Sequence, residues 1–265
     1  MTDIREDTVR NAVRENYAAV AKRDSGSCCG GPSPEGDHTL GSAESISSSL
    51  GYSKEDLAAV PESGNMGLGC GNPTAIAALT PGQTVVDLGS GGGIDCFLAA
   101  KEVGPEGQVI GVDMTPEMIA KARENARKVG TENVEFRLGE IEHLPVADGT
   151  VDVILSNCVV NLSPDKPQVY RDAFRALKSG GRLAISDVVA LKPLPDSIME
   201  DLAAIAGCIG GAAQVDEIES WLTENGFTDI KVTVNPASAA FIEEWLPGRG
   251  FEDKVASATI EAVKP

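Results

Sequence analysis

Three cysteines lie in segments of the sequence that offer a thiol few bulky apolar neighbours. Cys70 stands between two glycines, Cys158 follows a Ser-Asn pair, and Cys208 lies in a second glycine-rich loop. We therefore expect each thiol to lie beside a ligand rather than to pack in the core. A thiolate is a soft ligand, which prefers soft metal and metalloid ions over hard cations such as Mg²⁺. Together the three thiols predict a binding site for such an ion.

A glycine-rich turn, DLGSGGG at residues 87–93, stands between a predicted strand and a predicted helix. Glycine reaches at little cost the backbone angles that such a sharp turn needs. The missing side chains also let a nucleotide approach the main chain and the amino end of the helix. Turns of this kind bind NAD or S-adenosylmethionine, so the turn alone does not separate the two.

Acidic residues around the turn favour S-adenosylmethionine. Asp87 opens the turn and can face the cationic methionine end of that molecule, while Asp113 ends the next predicted strand and can accept both ribose hydroxyls. The loop at residues 139–145 follows the third strand, where contacts to adenine are expected. A methyltransferase is therefore predicted, with an NAD enzyme and a non-catalytic nucleotide-binding domain as the alternatives. The predicted cofactor-binding residues are Tyr17, Asp87, Gly89, Gly91, Gly93, Asp113, Met114, Glu140, Ile141 and Asn157.

Strands and helices alternate through the central part of the chain. The predicted strands are residues 84–88, 108–112, 134–138, 151–156 and 182–186, and the predicted helices are residues 94–103, 116–129 and 166–177. This alternation implies parallel strands joined by right-handed crossovers. The predicted fold class is α/β, a class I S-adenosylmethionine methyltransferase (Rossmann-like) with a C-terminal α+β extension. Its nucleotide-binding domain is assigned to residues 61–190.

The segments on both sides of this domain have their own patterns. In the N-terminal part, residues 1–60, an amphipathic helix over residues 1–23 is followed by a Gly-, Ser- and Pro-rich stretch, residues 24–49. This stretch has too few apolar residues to fix itself, so we predict a flexible flap that carries Cys28 and Cys29. A helix is predicted to start at Ser53. In the C-terminal part, residues 191–265, we expect helices near 196–206 and 216–225 and two sheet-completing strands near 230–234 and 256–263.

The composition excludes several classes of partner. The 265 residues include 22 Lys and Arg against 40 Asp and Glu, a net charge of -18. Because a nucleic-acid groove needs clustered cations, we expect no nucleic-acid partner. No apolar run approaches the length of a membrane span, and residues 1–6 are too polar to open a signal peptide. We therefore predict a cytoplasmic protein without a membrane partner, whose oligomeric state stays open and is expected to be monomeric.

The thiols suit arsenic better than zinc. Zinc prefers a closed tetrahedron of four ligands, often supplied by CxxC pairs. The chain has no CxxC pair and only two histidines, His38 and His143, of which the second is expected to lie at the surface. Cys96, beside Phe97, is expected to be a buried structural thiol. Trivalent arsenic takes three thiolates and keeps a lone pair, which can attack a methyl group without a general base if the thiols hold arsenic near the donor.

The sequence resembles the arsenite methyltransferases, and in particular their prokaryotic branch, from about Asn11 to the C-terminus. The resemblance rests on five blocks: SGSCCG at residues 25–30, GLGCGNP at 67–73, the glycine turn and following helix at 87–96, SNCVVNLSPDK at 156–166, and CIGGA at 208–212. The SNCV block is highly specific, whereas many methyltransferases share the glycine turn. Eukaryotic members usually have Glu before the third cysteine, but this chain has Gly207, so a role for that carboxylate is in doubt here.

The resemblance implies methyl transfer from S-adenosylmethionine to arsenic(III) bound by Cys70, Cys158 and Cys208, as a detoxification. It implies arsenite and methylated arsenite as substrates, and a thiol reductant of the thioredoxin or glutathione type. It also implies that Cys28 or Cys29 forms a disulfide during turnover. Because both thiols lie on the predicted flap, we favour a bridge from one of them to Cys70.

Two other functions remain open from the sequence. A thiol-based metalloid-binding protein on the same scaffold would explain the cysteines, but it would not need the intact donor turn. A small-molecule C- or N-methyltransferase would explain the donor turn, but it would leave three loop cysteines without a role.

Overall fold

A single seven-stranded sheet lies at the centre of the protein. The computed structural model describes residues 2–22, 42–238, 242 and 254–265. The strands are β1 (Thr84–Leu88), β2 (Gln108–Asp113), β3 (Val134–Leu138), β4 (Val151–Asn157), β5 (Leu177–Ala190), β6 (Thr228–Asn235) and β7 (Val255–Val263).

The strand order is β3-β2-β1-β4-β5-β7-β6. The first five of these strands run parallel to one another, whereas β7 pairs antiparallel with both β5 and β6. The carboxyl ends of β1, β2 and β4 therefore meet at one edge of the sheet. The prediction that two C-terminal strands complete the sheet is confirmed.

Helices cover both faces of the sheet. In the described ranges they are α1 (Thr2–Ala21), α2 (Ala43–Ser49), α3 (Lys54–Ala58), α4 (Pro73–Ala77), α5 (Ile94–Val103), α6 (Pro116–Val129), α7 (Lys166–Ala176), α8 (Asp196–Met199), α9 (Leu202–Ala206) and α10 (Val215–Glu224). Short 3₁₀ turns occur at Glu62–Gly64, Val160–Leu162 and Pro236–Ser238. Within the described residues, none of these helices combines the length and apolar character that a membrane span needs.

Local signals explain why the predicted central elements were nearly correct. Ser53 and Asp56 form a capping box at the start of α3. Pro116 occupies the first turn of α6, where its missing N–H costs nothing, and Gly130 ends that helix in the left-handed conformation. The side chain of Asp165 accepts a hydrogen bond from the backbone N of Gln168 and so caps α7.

Three predicted boundaries were wrong. The predicted flap extended to Ser49, but residues 43–49 form α2, which Ser42 caps and whose Ser47 donates a hydrogen bond to Asn65 in a distant loop. The single helix predicted near residues 196–206 is split, because Asp201 caps α9 separately. Strand β5 starts at Leu177 rather than at residue 182, since Leu177 still pairs with Val151 of β4.

Helix α1 belongs to the packed structure around the carboxyl edge of the sheet. Its Val9 and Val13 lie in one buried cluster with Cys70, Cys158 and Cys208. Residues 23–41, which include Cys28, Cys29 and His38, lie outside the described residues.

Candidate active site

A cavity that opens partly to solvent lies at the carboxyl ends of β1, β2 and β4. The glycine turn after β1 forms its floor, and residues 113–115 and 157–159, at the ends of β2 and β4, line its sides. The N-terminal helix α1 covers the cavity with side chains that include Val13 and Tyr17. The cavity thus occupies the place where open α/β sheets bind their ligands.

Eight of the ten residues that were predicted to bind the cofactor line this cavity. They are Tyr17, Asp87, Gly89, Gly91, Asp113, Met114, Ile141 and Asn157. The other two do not line it. Gly93 faces Phe97 and Phe136 of the core, because a Cβ there would lie 2.8 Å and 2.9 Å from their rings. Glu140 instead forms ion pairs with Arg10 and Arg14 of α1.

The glycine turn presents bare backbone and a serine hydroxyl to the cavity. Gly89 and Gly91 both have positive φ, at 68° and 49°, which favours glycine. A side chain at Gly89 would overlap Val159, so the segment after β4 packs directly on the turn. The Oγ of Ser90 is buried and has no hydrogen-bond partner among the described residues. A buried polar atom of this kind calls for a partner that the described residues do not supply.

Asp113 connects the end of β2 with the glycine turn. One carboxylate oxygen accepts a hydrogen bond from the backbone N of Gly91 at 3.0 Å, and the other accepts one from the backbone N of Thr115 at 2.8 Å. Burial raises the pKa of Asp113, while these two backbone donors act in the opposite direction. Each carboxylate oxygen can accept more than one hydrogen bond, so the group can still receive hydroxyl donors from a ligand.

A second acidic group, which the sequence reasoning missed, lines the cavity beside Asp87. The hydroxyl of Tyr52 donates to Asp95 at 2.7 Å and accepts from Asn157 Nδ2 at 2.9 Å. Burial raises the pKa of Asp95 to about 6, against the lowering effect of the hydrogen bonds from Tyr52 and Asn157. Burial and the nearby Asp95 charge raise the pKa of Asp87 well above its usual range. Two such carboxyl groups favour a cationic ligand, whose positive charge would offset the cost of burying the two carboxylates and the repulsion between them.

These features fit S-adenosylmethionine. The cavity combines a glycine cradle, a carboxylate at the end of β2, an orphaned hydroxyl at Ser90 and two acidic groups, Asp87 and Asp95, that disfavour each other's charge. A nucleoside with a positively charged sulfur matches that set. The negatively charged phosphate groups of NAD would instead be repelled by the two carboxylates, and the glycine turn contains no Lys or Arg to offset that repulsion.

The three predicted ligand cysteines lie together at one end of the cavity. Cys70 and Cys158 form a disulfide, and the thiol of Cys208 contacts the carbonyl O of Cys158 at 2.9 Å. Of the three, Cys158 lines the cavity, so the cluster borders it directly. Cys158 lies 88 positions after Cys70, and Cys208 lies 50 positions after Cys158. The three cysteines therefore come together from distant parts of the chain.

The expectation that these thiols have little to pack against was wrong. Cys70 is 4% exposed and Cys158 and Cys208 are each 5% exposed, in the cluster that includes Val9 and Val13 of α1. The glycines next to them serve close packing instead: a Cβ at Gly71 would lie 2.7 Å from Ser186 Oγ. Long-range apolar neighbours, which the local sequence does not reveal, make this a dry site.

Backbone conformation distinguishes two of the three cysteines. Cys158 and Cys208 have φ of 58° and 63°, and within the described residues only Ala78 and Asp229 share a positive φ without being glycine. A residue with a Cβ costs about 1–2 kcal/mol in this region. Strain of this kind concentrates where the surrounding structure fixes a functional group.

Asn157 ties the loop of Cys70 to the end of β4. Its Oδ1 accepts from the backbone N of Cys70 at 3.0 Å, and its Nδ2 donates to the carbonyl O of Gly71 at 2.9 Å. The same Nδ2 reaches Tyr52 and Asp95 of the cavity. One side chain thus links the thiol cluster with the acidic wall of the cavity.

Asp187 of β5 lies behind the thiols. One of its carboxylate oxygens and the Sγ atoms of Cys70 and Cys158 are all within 4.8 Å of one another. The carboxylate accepts from the backbone N of Val188 at 2.8 Å and from Asn161 Nδ2 at 2.9 Å. Sequence reasoning missed Asp187, because nothing in the SDVV segment sets it apart from an ordinary strand residue.

Two further predictions are confirmed. Cys96 is fully buried in the core, and its thiol donates to Asp87 at 3.2 Å. Its setting is therefore structural, as expected, although it also supports an acidic residue of the cavity. His143 is exposed, as predicted for a surface residue.

The strand order, the antiparallel β7 beside the edge and the glycine turn with its acidic partner on β2 define the class I S-adenosylmethionine-dependent methyltransferases. A family model described as a methyltransferase domain matches residues 79–226, more than half of the chain. The chain belongs to this methyltransferase family.

Several relatives share more than the fold. The arsenite methyltransferase of Halobacterium salinarum is 52% identical over 97% of this chain and 66% of its own length. That of Aquipseudomonas alcaligenes is 47% identical over 61% of this chain and 48% of its own length. The crystal structure of an arsenic(III) S-adenosylmethionine methyltransferase from Chlamydomonas reinhardtii superimposes with a TM-score of 0.62, at 31% identity over 83% of this chain and 73% of that one.

These similarities confirm the resemblance predicted from the sequence blocks. The chain spans about two thirds of the first curated relative's length and about half of the second's. Another solved structure, a phosphoethanolamine N-methyltransferase from Haemonchus contortus with S-adenosylmethionine, is 21% identical and shares the fold alone.

Proposed function

We propose that this chain transfers methyl groups from S-adenosylmethionine to trivalent arsenic held by Cys70, Cys158 and Cys208. The observation that carries the proposal is the convergence of the three cysteines beside the cavity, which Cys158 lines. The similarity to arsenite methyltransferases supports the same substrate. Arsenite and methylated arsenite are the acceptors in this proposal.

Loading of arsenite replaces three As–O bonds by three As–S bonds. Each thiol proton leaves with a departing hydroxide as water, so three waters form and the oxidation state of arsenic stays at +3. Arsenic keeps its lone pair in this complex. The buried apolar surroundings of the thiols, including Val13, exclude water and so favour the As–S bonds over hydrolysis.

In this proposal Asp113 holds the ribose of the donor and Asp87 and Asp95 face its cationic end. When bound, S-adenosylmethionine supplies a methyl group on a positively charged sulfur, and transfer of the methyl group to the arsenic lone pair leaves S-adenosylhomocysteine. The chain's contribution is positioning: Val159 packs on Gly89, which fixes the thiol segment against the donor turn. The acceptor loses no proton in this step, so no general base is required.

A thiol reductant is part of the proposal for two reasons. Cys70 and Cys158 cannot both bind arsenic while they are bonded to each other. In addition, methylated arsenic leaves the transfer step in oxidation state +5 and needs two electrons to return to +3. Two thiols supply these electrons by closing to a disulfide, and a reductant of the thioredoxin or glutathione type reopens it.

The proposal is tested with purified protein, labelled S-adenosylmethionine, arsenite and a thiol reductant. We expect arsenite-dependent formation of S-adenosylhomocysteine together with methylated arsenic, resolved by number of methyl groups. Donor binding and arsenite binding without any methyl transfer would support a metalloid-binding protein instead. Transfer to a carbon or nitrogen acceptor after the thiols have been alkylated would support a small-molecule methyltransferase.

The turnover disulfide is a separate expectation. Neighbouring cysteines can bridge each other only through a strained ring, so we expect Cys28 or Cys29 to pair with Cys70 when the reductant runs out. The double variant Cys28→Ser with Cys29→Ser should slow the first methylation of arsenite and leave arsenite binding intact. Trivalent monomethylated arsenic, supplied directly, should be turned over nearly normally by this variant.

Peptide mapping of protein stalled without reductant checks this expectation. A peptide that joins Cys28 or Cys29 to Cys70 supports it. The bond between Cys70 and Cys158 in the present structure is the competing pairing. Stalled protein with that bond and both N-terminal thiols free would contradict the proposed bridge.

Donor affinity should depend on pH. Below its raised pKa of about 6 the Asp95 carboxyl is mostly protonated, and only its charged form attracts a sulfonium. The affinity for S-adenosylmethionine should therefore rise between pH 5 and 7, by at most about tenfold per pH unit for each proton released. The pKa of Asp87 is also raised, by burial and by the Asp95 charge, so Asp87 should contribute to the same dependence.

Titration calorimetry in buffers of different ionisation enthalpy would count the released protons. S-adenosylhomocysteine, whose sulfur is neutral, is the matched ligand and should show a flatter pH dependence. The Asp95→Asn variant should lose the part of the rise near pH 6. Equal slopes for both ligands would contradict the assignment of these carboxyl groups to the cationic end.

A further inference from the structure

Asn161 is a buried polar residue that none of the sequence predictions assigned a role. It lies in the 3₁₀ turn that follows Cys158, and it is 4% exposed. Its Nδ2 donates to Asp187 Oδ1 at 2.9 Å, to the carbonyl O of Val188 at 2.5 Å and to the carbonyl O of Cys208 at 3.3 Å. Its backbone N donates to the second carboxylate oxygen of Asp187 at 3.3 Å.

These bonds join three chain segments that are far apart in sequence. One segment holds Cys158, three residues before Asn161. The second is β5, whose Ser186 carbonyl O is 3.4 Å from Cys70 Sγ and whose Asp187 lies next to both bonded sulfurs. The third is the turn of Cys208. Asn161 is thus a direct hydrogen-bonded connection from the Cys208 turn to the elements that hold the other two thiols.

The turn of Cys208 needs such a connection. Cys208 has a φ of 63°, which a residue with a Cβ adopts only when neighbouring contacts hold it there. A second contact comes from the same residue: a Cβ at Gly211 would overlap the carbonyl O of Asn161. The amide of Asn161 therefore reaches the start of the Cys208 loop, and its carbonyl packs against the loop three residues later.

We propose that Asn161 is a positioning residue that places the Cys208 thiol for three-sulfur coordination of arsenic. The inference rests on the proposed function, since it concerns the geometry of that same site. Asn161 acts through the backbone of Cys208 and through Asp187, and it does not itself bind arsenic. Without its amide, the Cys208 turn relaxes from the left-handed conformation and the thiol moves away from Cys158.

The role predicts a split between two kinds of arsenical. Arsenite uses three thiols, whereas phenylarsenite, with one As–C bond, has only two exchangeable positions and can bind through Cys70 and Cys158 alone. The Asn161→Leu variant has a side chain of similar shape without donors. We expect its affinity for arsenite to fall about tenfold or more, the scale of losing hydrogen bonds to a charged group. Its affinity for phenylarsenite should stay within about twofold, because the hydrogen bonds of Asn157 that tie the loop of Cys70 to the end of β4, next to Cys158, remain in the variant.

The measurement uses the full, reduced chain with each arsenical alone, in binding titrations and in arsenic K-edge absorption spectra. Wild-type protein should show three sulfur neighbours around arsenite, and the Asn161→Leu variant should show two sulfurs and one oxygen. Asn133→Leu is the matched control, because Asn133 also donates to two backbone carbonyls but lies far from the thiols. This control should keep three sulfurs.

Gly211→Ala disturbs the contact between the Cys208 loop and Asn161 by changing the loop instead of Asn161. It provides a second test if Asn161→Leu fails to fold. Its added methyl group meets the Asn161 carbonyl and should produce the same loss for arsenite with phenylarsenite binding retained. Three sulfurs and unchanged arsenite affinity in the folded variants would overturn the positioning role. Equal losses for both arsenicals would also overturn it, in favour of a general structural role. Fewer than three sulfurs in the wild-type complex would instead overturn the proposed function.

Discussion

Replacement of Cys158 or Cys208 by Ser is expected to abolish methylation of arsenite. The sulfurs of Cys70, Cys158 and Cys208 lie in one buried cluster, so each variant removes one of three soft ligands. A hydroxyl is a hard, protonated donor that does not replace a thiolate on arsenic. The loss should exceed the roughly 100-fold effect of changing a group that merely supports a ligand.

Two measurements and a control variant separate a lost ligand from a lost fold. Under reducing conditions, where the bond between Cys70 and Cys158 is open, the variants should bind S-adenosylmethionine as the wild type does and unfold at a similar temperature. Cys96→Ser is the matched control, since the same substitution there alters a thiol that contacts Asp87 rather than the cluster. This control should keep arsenite binding and lose some stability. Full methylation by Cys158→Ser would rule out the three-thiol site.

Substitution by alanine should have different main effects at two positions of the glycine turn: a loss of stability at Gly93 and a loss of donor affinity at Gly91. Gly93→Ala should strongly destabilise the fold, because φ is 99° and the new methyl group would lie 2.8 Å from Phe97 and 2.9 Å from Phe136. Left-handed strain of about 1–2 kcal/mol and overpacking of about 1–3 kcal/mol together predict a loss of roughly 2–5 kcal/mol in the free energy of unfolding.

Gly91→Ala is the counterpart. Its Cβ would meet no atom within 4 Å, but Gly91 lines the cavity and its φ is 49°. We expect a smaller stability loss of about 1–2 kcal/mol from the backbone strain alone. Donor affinity should fall more than in Gly93→Ala, because the methyl group enters the space assigned to the donor.

Chemical denaturation and calorimetry with S-adenosylmethionine, performed on both variants, check this pair. If Gly93→Ala weakens donor binding while its stability is unchanged, Gly93 contacts the donor as the sequence predicted. The present structure assigns Gly93 to helix–sheet packing instead.

The fold could be predicted closely where local signals were strong. The strand and helix limits around the glycine turn were correct to within a residue or two, because short apolar runs alternate with helical patterns and the caps at Pro116 and Asp165 are explicit. The prediction of secondary structure failed where contacts between distant segments determine it. Helix α2 consists largely of serines, which favour caps and turns, and its contacts with Asn65 are visible only in three dimensions.

The site divides in the same way. The glycine turn and Asp113 carry a local motif, and the thiols carry family-specific blocks, so both were found from the sequence. Tyr52, Asp95 and Asp187 have no such motif. Each acquires its place through a partner far along the chain; Asp95, for example, lies 43 positions after Tyr52. A single sequence holds no signal for pairings of this kind.

The position of α1 has a practical consequence for handling the protein. Arg10, Val13 and Tyr17 of this helix line the cavity, and Val9 packs among the thiols. The last residues of β7, in contrast, pair with the beginning of β5, at the opposite end of the sheet, and Pro265 is exposed. An affinity tag or fusion partner joined at the N-terminus would therefore extend from the helix that covers the cavity. Kinetic work is better done with extensions at the C-terminus.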